Sequence, residues 1–200
     1  MEQLLHTKYP TVLWDTFLDN PNVATVFYDS IHGAEMAVNY LLSLGHKNIG
    51  IINGSKESQV SYPRKDGYLL ALAKAGIPVR PEFVYEGDWT SESGAKGAEV
   101  LYRSGVTAIF AVSDRMALSA IQRLTQMRVD VPGQVSVIGF DNSPLCEISS
   151  PRLTSMHQDM TLIGKTACAL LDCMFQKMPI RNASFESNVV SRESTGPCAR

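Results

Sequence analysis

Short apolar runs without polar alternation, separated by segments of helical periodicity, most restrict how this chain can fold. Ile49–Ile52 and Val135–Phe140 are nearly unbroken apolar runs, whereas Gly33–Leu44 repeats apolar residues at spacings of three and four. A strand covered by helices on both faces of its sheet is apolar throughout, whereas a half-exposed strand alternates. The pattern therefore predicts an α/β protein built from doubly wound parallel sheets.

The expected strands and helices alternate along the whole chain. Strands are predicted at 11–15, 24–28, 49–52, 83–85, 107–112, 135–140, 153–157 and 185–190. Helices are predicted at 33–44, at 63–75, at 91–102, after residue 114, and at 160–174. We expect Thr90 or Ser91 to cap the third helix and Asp114 to cap the fourth, because their side chains accept hydrogen bonds from free backbone amides.

Charge and composition argue against several classes of protein. Eighteen Lys and Arg against twenty Asp and Glu give a net charge of -2, so no positive field draws the chain to nucleic acid. No run reaches the roughly 18 to 20 apolar residues of a membrane span, and residues 1–20 lack a secretion signal. We therefore expect a cytoplasmic chain that does not contact a membrane. The four cysteines form no C-x-x-C pair, so we expect reduced thiols.

No motif in the sequence indicates catalysis or cofactor binding. Nucleophile-elbow, P-loop, zinc-protease and dinucleotide-binding patterns are all missing. Ser93–Lys96 matches S-x-x-K only within a predicted helix, and no histidine has a companion at metal-ligand spacing. We expect no cofactor, no metal and no enzymatic activity. The alternative is a glycoside-processing enzyme that pairs Asp141 with Asp29 or Asp114.

Polar residues and one aromatic residue follow the predicted strands, at the edge where parallel sheets bind their ligands. These residues are Asp29, Arg64, Trp89, Ser113, Asp114 and Asp141. Each also has an ordinary structural interpretation. From the residues alone, Arg64 could be a solvated arginine, Asp141 a turn residue and Trp89 a core side chain.

Seven phrases identify a resemblance when they are taken in order. They are Leu44–Ile49, Arg64–Gly67, Ser113–Ala117, Val131–Pro132, Ser136–Asn142, Pro151–Thr154 and Ser191–Thr195. Together they closely resemble the effector-binding part of LacI/GalR-family transcriptional regulators. The resemblance extends over residues 10–196, and it implies two doubly wound lobes with a periplasmic-binding-protein type I fold.

The resemblance also implies how the chain is divided between the lobes. Family members carry a helix-turn-helix headpiece and a hinge helix, which this sequence lacks, together with the first two strand–helix units of the first lobe. We therefore expect a truncated first lobe, as in a fragment or a truncated gene product. Crossings between the lobes are expected near Leu44, His157 and Glu186. The first lobe would comprise residues 1–43 and 159–186, and the second 44–157 and 187–200.

The family match assigns roles to the residues that follow the strands. It implies that Arg64 binds effector hydroxyls or carbonyls with its planar guanidinium, that Asp141 accepts sugar hydroxyls, and that Trp89 stacks on a sugar ring. Further positions that match cleft residues of the family are Ser113, Asp29, Gln158, Met160 and Asp114. Asp114 could instead serve only as a helix N-cap, and Met160 as part of an apolar helical stripe.

A neutral sugar is the effector that these positions favour. Ser58 and Val60 match loop positions that select the effector in the family, and neither is charged. Purine-like or phosphorylated effectors are therefore less expected than a sugar or glycoside. The resemblance further implies a homodimer that reaches operator DNA only through the missing headpiece. A periplasmic sugar-binding protein of the same fold is the alternative.

Overall fold

The computed structural model describes residues 6–55, 58 and 60–199 and consists of alternating strands and helices. The strands are β1 (Thr11–Trp14), β2 (Val23–Tyr28), β3 (Ile49–Asn53), β4 (Val84–Glu86), β5 (Ala108–Ala111), β6 (Ser136–Asp141), β7 (Thr154–His157), β8 (Ala183–Phe185) and β9 (Asn188–Val190). The helices are α1 (Ser30–Ser43), α2 (Ser61–Lys74), α3 (Ser91–Arg103), α4 (Asp114–Gln126), α5 (Leu145–Ile148) and α6 (Met160–Phe175), with a 3₁₀ turn at Pro81–Phe83.

The described residues divide into two compact units. Unit 1 comprises the described part of Met1–Asp29 with Gln158–Glu186, and unit 2 comprises Ser30–His157 with the described part of Ser187–Arg200. This division corrects the first expected boundary, which had been placed after residue 43. Helix α1 belongs to unit 2 because it packs tightly on α2: a β-carbon on Gly67 would lie 2.2 Å from the carbonyl oxygen of Ile31.

Unit 2 is built on a six-stranded sheet in the order β4-β3-β5-β6-β7-β9. All neighbouring strands run parallel except β7 and β9, which are antiparallel. Every residue of β3 and of β5 is buried, as expected for strands covered on both faces. The predicted α/β class with parallel sheets is therefore confirmed.

Unit 1 contains a smaller parallel sheet in the order β1-β2-β8. Its core consists of Val26, Tyr28 and Ile163, the last from α6. Helix α6 consists mostly of apolar residues, yet Ile163 is its one buried residue and Phe175 is 71% exposed. An amphipathic helix normally buries the whole of its apolar face. Unit 1 thus has an uncovered apolar surface on α6.

The prediction of a single strand at 185–190 was wrong. Residues in this region form two short strands in different units: β8 pairs with β2, whereas β9 pairs with β7. The chain passes from unit 1 to unit 2 between Glu186 and Ser187, which interrupts the run. Apolar pattern alone does not reveal such a crossing, because both halves resemble β-strand.

A buried histidine ties the C-terminal segment to the amino end of the unit 2 sheet. The His46 side chain lies with Nδ1 3.0 Å from Thr107 Oγ1 and Nε2 3.0 Å from both Ser136 Oγ and the Gly196 carbonyl oxygen. The residue is only 2% exposed. Burial lowers the pKa of His46, against the opposite influence of the Gly196 carbonyl. The fold therefore favours the neutral imidazole.

We expect this histidine to make the protein less stable in mild acid. Because the pKa of His46 is lower in the folded than in the unfolded chain, the unfolded state binds a proton first as the pH falls below about 6.5. The free energy of unfolding, measured by urea denaturation from about pH 7.5 to pH 5, should fall over that interval. His46→Gln should show a shallower pH dependence, and an unchanged slope would contradict this assignment.

Candidate ligand-binding site in unit 2

The candidate site lies at the carboxyl edge of the unit 2 sheet. Strands β3, β5 and β6 run parallel, so the residues that follow them emerge at the same edge. Asp141 is the last residue of β6, and Ser113 follows β5. Helix α2, which follows β3, buries one face along its length, and Arg64 lies on that face. The fold therefore turns Arg64 inward.

Arg64 is buried next to Asp141 at this edge of the sheet and is only 4% exposed. Its guanidinium donates a hydrogen bond to the carbonyl oxygen of Val112, and Nη1 lies 3.5 Å from Asp141 Oδ1. The guanidinium carbon lies 3.9 Å from the ring centroid of Phe140 and 5.8 Å from that of Trp89. Such contacts compensate a desolvated cation. The interpretation of Arg64 as a solvated arginine is therefore wrong.

Asp141 and Trp89 adopt backbone conformations that side chains of their kind rarely occupy. The φ angle is 116° at Asp141, 55° at the following Asn142 and 70° at Trp89. Each such residue costs about 1 to 3 kcal/mol, and such strain persists where the surrounding structure imposes it, often at ligand sites. The side chain of Asp141 is 40% exposed, so it faces Arg64 and still reaches solvent.

The indole of Trp89 packs directly on the glycine that follows β3. A β-carbon on Gly54 would lie 2.2 Å from Trp89 Cε2 and 2.5 Å from Ser61 Oγ. Beside this contact, Asn53 Oδ1 and Ser61 Oγ are buried without a hydrogen-bond partner among the described residues. Unpaired buried polar atoms cost free energy and are common where a ligand or water completes the site.

Asn53 and Ser61 were not among the ligand contacts predicted from the sequence. The available signal was the position of Asn53, which ends β3 at the same edge as Ser113 and Asp141. Ser61 gave no comparable signal, since Pro63 was expected to begin the helix that in fact begins at Ser61.

Ser113 and Asp114 have different structural roles at the start of α4. Ser113, not Asp114, is the N-cap of α4, and its side chain accepts a hydrogen bond from the amide of Met116. The N-cap interpretation of Asp114 is therefore wrong. Asp114 is 2% exposed, and its carboxylate points into unit 2, where it accepts hydrogen bonds from Ser143 N at 2.6 Å and Ser155 Oγ at 2.5 Å.

A cavity of about 550 Å³ opens beside these residues within unit 2. Its lining includes Trp89, Ser113, Asp114, Arg115, Leu118 and Asp141. Cavities of roughly 300 to 1,000 Å³ suit small organic ligands. A second cavity of about 670 Å³ lies at the amino end of β3, next to His46 and Lys47. The smaller cavity is the candidate, because it includes Asp141 and Trp89.

The remaining predicted residues, Asp29, Gln158 and Met160, belong to unit 1. Asp29 is exposed after β2 and donates its backbone amide to Phe185, 3.0 Å away. Gln158 is 3% exposed, and neither polar atom of its amide has a partner among the described residues. Met160 begins α6 and is 44% exposed, so it is not a core residue. Their contribution to ligand binding stays a prediction.

Within the described residues, no group of three or more His, Cys, Asp or Glu side chains is arranged to hold a metal ion. Helices of the length and apolar content needed to span a membrane are also missing from this part of the chain.

The fold and the site define a periplasmic-binding-protein-like domain. The family model described as "Periplasmic binding protein-like domain" matches residues 38–195, and the chain belongs to this family. More particularly, its relatives are LacI-family transcriptional regulators, in agreement with the resemblance found in the sequence. The repressor CytR of Escherichia coli K12 is 36% identical over 190 residues, covering 93% of this chain and 56% of CytR. The repressor PurR of Actinobacillus pleuropneumoniae serotype 3 is 33% identical over 186 residues, covering 92% of this chain and 54% of PurR.

Solved structures support the same assignment. The chain matches the transcriptional repressor ascG of Escherichia coli with a TM-score of 0.87 and 30% identity, over 98% of this chain and 72% of that one. It matches a complex of the regulator CelR with cellobiose with a TM-score of 0.84 and 31% identity, over 92% of this chain and 58% of that one. The chain spans about half the length of the curated relatives.

Proposed function

We propose that this chain binds a sugar or glycoside as the effector of a LacI-family transcriptional regulator, with Arg64, Asp141 and Trp89 as the main contacts. The observation that carries the proposal is the buried Arg64, held between Asp141 and two aromatic rings at the ligand edge of the sheet. A guanidinium and a carboxylate side by side suit a ligand with many hydroxyl groups.

The balance of charge favours a neutral ligand over a phosphorylated one. Arg64 and Arg115 are matched near the cavity by Asp114 and Asp141, so the site offers no net positive charge for a phosphate. The exposed part of Asp141 would repel an anion and accept sugar hydroxyls. One related regulator is described in complex with cellobiose, which supports a saccharide.

The whole protein is inferred to act on DNA through another segment. The relatives are named HTH-type transcriptional repressors, and the present sequence shows no such motif. Effector binding would favour one arrangement of the paired DNA-binding segments, a coupling of typically about 1 to 3 kcal/mol.

A regulator of this kind works in the cytoplasm and binds its effector without converting it. The relatives favour it over a periplasmic sugar-binding protein.

A thermal-shift screen tests the proposal directly. Neutral mono- and disaccharides, sugar phosphates and nucleosides are added separately to the purified chain. A ligand at 100 times its dissociation constant should stabilise the fold by about 2.7 kcal/mol. We expect neutral saccharides to give the largest shifts. Stabilisation by phosphates or nucleosides alone would contradict the sugar assignment, and the absence of any shift would contradict ligand binding by this chain.

We also infer that the regulator is a homodimer that associates through α4 and α5. Leu145 and Ile148 of α5 are 54% and 79% exposed, and together with Leu118 and Ile121 they line an apolar groove of about 530 Å³. Exposed apolar surface of this kind commonly marks an interface.

A single charge in that groove should weaken association. Ile148→Asp should convert a concentration-dependent dimer to monomer in sedimentation velocity, because the carboxylate would be desolvated at the interface. Phe175→Asp tests the other candidate, the uncovered apolar surface of unit 1, and Val79→Asp serves as a control at another exposed apolar position. A dimer lost only with Phe175→Asp would contradict the α4–α5 interface.

A further inference from the structure

The turn after β6 presents Asp141 in a conformation that it would not adopt unaided. Asp141 and Asn142 both have positive φ angles, 116° and 55°. A φ of 116° is strained for aspartate and needs contacts that hold it in place, whereas asparagine tolerates a φ of 55°. Those contacts determine where the Asp141 carboxylate stands relative to Arg64.

Two buried side chains bind the backbone amides of this turn. Ser155 Oγ accepts a hydrogen bond from the amide of Asn142 at 3.1 Å and donates one to Asp114 Oδ1 at 2.5 Å. The other carboxylate oxygen, Asp114 Oδ2, accepts a hydrogen bond from the amide of Ser143 at 2.6 Å. The two amides that follow Asp141 are thus both fixed, one by Ser155 and one by Asp114. Ser155 and Asp114 are 0% and 2% exposed.

The surroundings of Asp114 are built for a carboxylate that only accepts hydrogen bonds. A third donor is the thiol of Cys146, whose Sγ lies 3.1 Å from Asp114 Oδ2. Burial, followed by the charge of Asp114, raises the pKa of Cys146 to about 12, so the thiol keeps its proton at neutral pH. Gly139 leaves room for the carboxylate, since a β-carbon there would lie 2.5 Å from Asp114 Oδ1.

We propose that Asp114 and Ser155 are positioning residues that hold the Asp141–Asn142 turn so that Asp141 meets the effector beside Arg64. This proposal rests on the proposed role of Asp141 as a ligand contact. It replaces the sequence-based assignment of Asp114 as a direct contact, because the hydrogen bonds of its carboxylate are all directed into the protein.

The first test needs no ligand. Amide hydrogen exchange is followed by NMR in the wild type, in Ser155→Ala and in a matched control, Ser136→Ala. Ser136 is also fully buried, and its Oγ accepts the amide of Gly196 at 3.0 Å, but at the opposite end of β6. Ser155→Ala should speed exchange at Asn142 and Ser143 at least 10-fold, whereas Ser136→Ala should leave both amides unchanged. Unchanged protection in Ser155→Ala would overturn the proposal.

The second test is a double-mutant cycle on ligand binding, with cellobiose and ribose as probes. Ser155→Ala should weaken binding 5- to 10-fold in the wild type and less than 2-fold in an Asp141→Asn background, because the serine acts only through Asp141. If Ser155 contributed only to stability, Ser155→Ala would lower the melting temperature and its effect on binding would not depend on Asp141. The same cycle with Asp114→Asn separates positioning from direct contact, since a direct contact would give additive losses and overturn the proposal.

The two proposals fail in different ways. If Asp141→Asn leaves binding unchanged, the proposed ligand role of Asp141 is wrong, and the exchange experiment still decides whether Ser155 and Asp114 hold the turn. If Asp141→Asn weakens binding and Ser155→Ala does not, the ligand site stands and the positioning role is overturned.

Discussion

Replacing Arg64 with alanine is expected to weaken sugar binding by at least about 30-fold, measured by isothermal titration with the saccharide that stabilises the wild type most. The substitution removes the donors offered to the ligand, and it leaves Asp141 and the Val112 carbonyl without their buried partner. Arg64 is the buried partner, and truncating a buried charge that is hydrogen-bonded in its site typically costs about 2 to 5 kcal/mol of binding free energy.

Arg103→Ala is the matched control for this experiment. Arg103 is 72% exposed and pairs with Glu99 on the surface of α3, so its removal should leave the affinity unchanged. Circular dichroism should show that both variants are folded. Arg64→Lys should also bind poorly, since an ammonium group does not reproduce the planar fork of the guanidinium. Normal affinity in Arg64→Ala would mean that the ligand binds elsewhere.

Gly67→Val is expected to lower the free energy of unfolding, measured by urea denaturation, by about 3 kcal/mol or more. A β-carbon at this position would lie 2.2 Å from the Ile31 carbonyl oxygen and 2.9 Å from the amide nitrogen of Glu35. Both atoms belong to the backbone of α1, so no side-chain rotation relieves the overlap. The two helices must separate, and the surface between them loses its packing.

Gly164→Ala provides the opposite case. This glycine lies inside α6, and a β-carbon there meets nothing within 4 Å. Alanine is the better helix former by about 1 kcal/mol, so the variant should be as stable as the wild type or slightly more stable. A similar loss in both variants would show that close approach of α1 and α2 is not the reason for Gly67.

The sequence predicted the sheet of unit 2 well because its strands are buried on both faces. Runs such as Ile49–Ile52 and Val135–Phe140 have no polar alternation, and helical periodicity between them is equally clear. The first lobe boundary was misplaced because the chain crosses at Asp29–Ser30, where neither a break nor a change of composition marks the crossing. Periodicity shows which face of a helix or strand is buried, but it does not show which other element covers that face.

The candidate site was predictable only in part. The resemblance named Arg64, Asp141 and Trp89, and the structure brings these three together, although their contact with a ligand stays a prediction. Asp114 was interpreted as a cap because Asp often begins helices, but Ser113 fills that role and frees the carboxylate to point inward. Such a choice between adjacent residues depends on the neighbouring turn, which local sequence does not specify.

Because the candidate ligand edge of unit 2 collects side chains from loops that follow separate strands, a substitution in one loop changes one part of the proposed site and leaves the sheet intact. Ligand selectivity can therefore change in small steps as such proteins diverge, or be changed by engineering to make a sensor for a new metabolite. Asp114 is the exception, because its carboxylate cannot be replaced without affecting more than one segment. It joins α4, β7 and the turn after β6, so a change there alters several segments together.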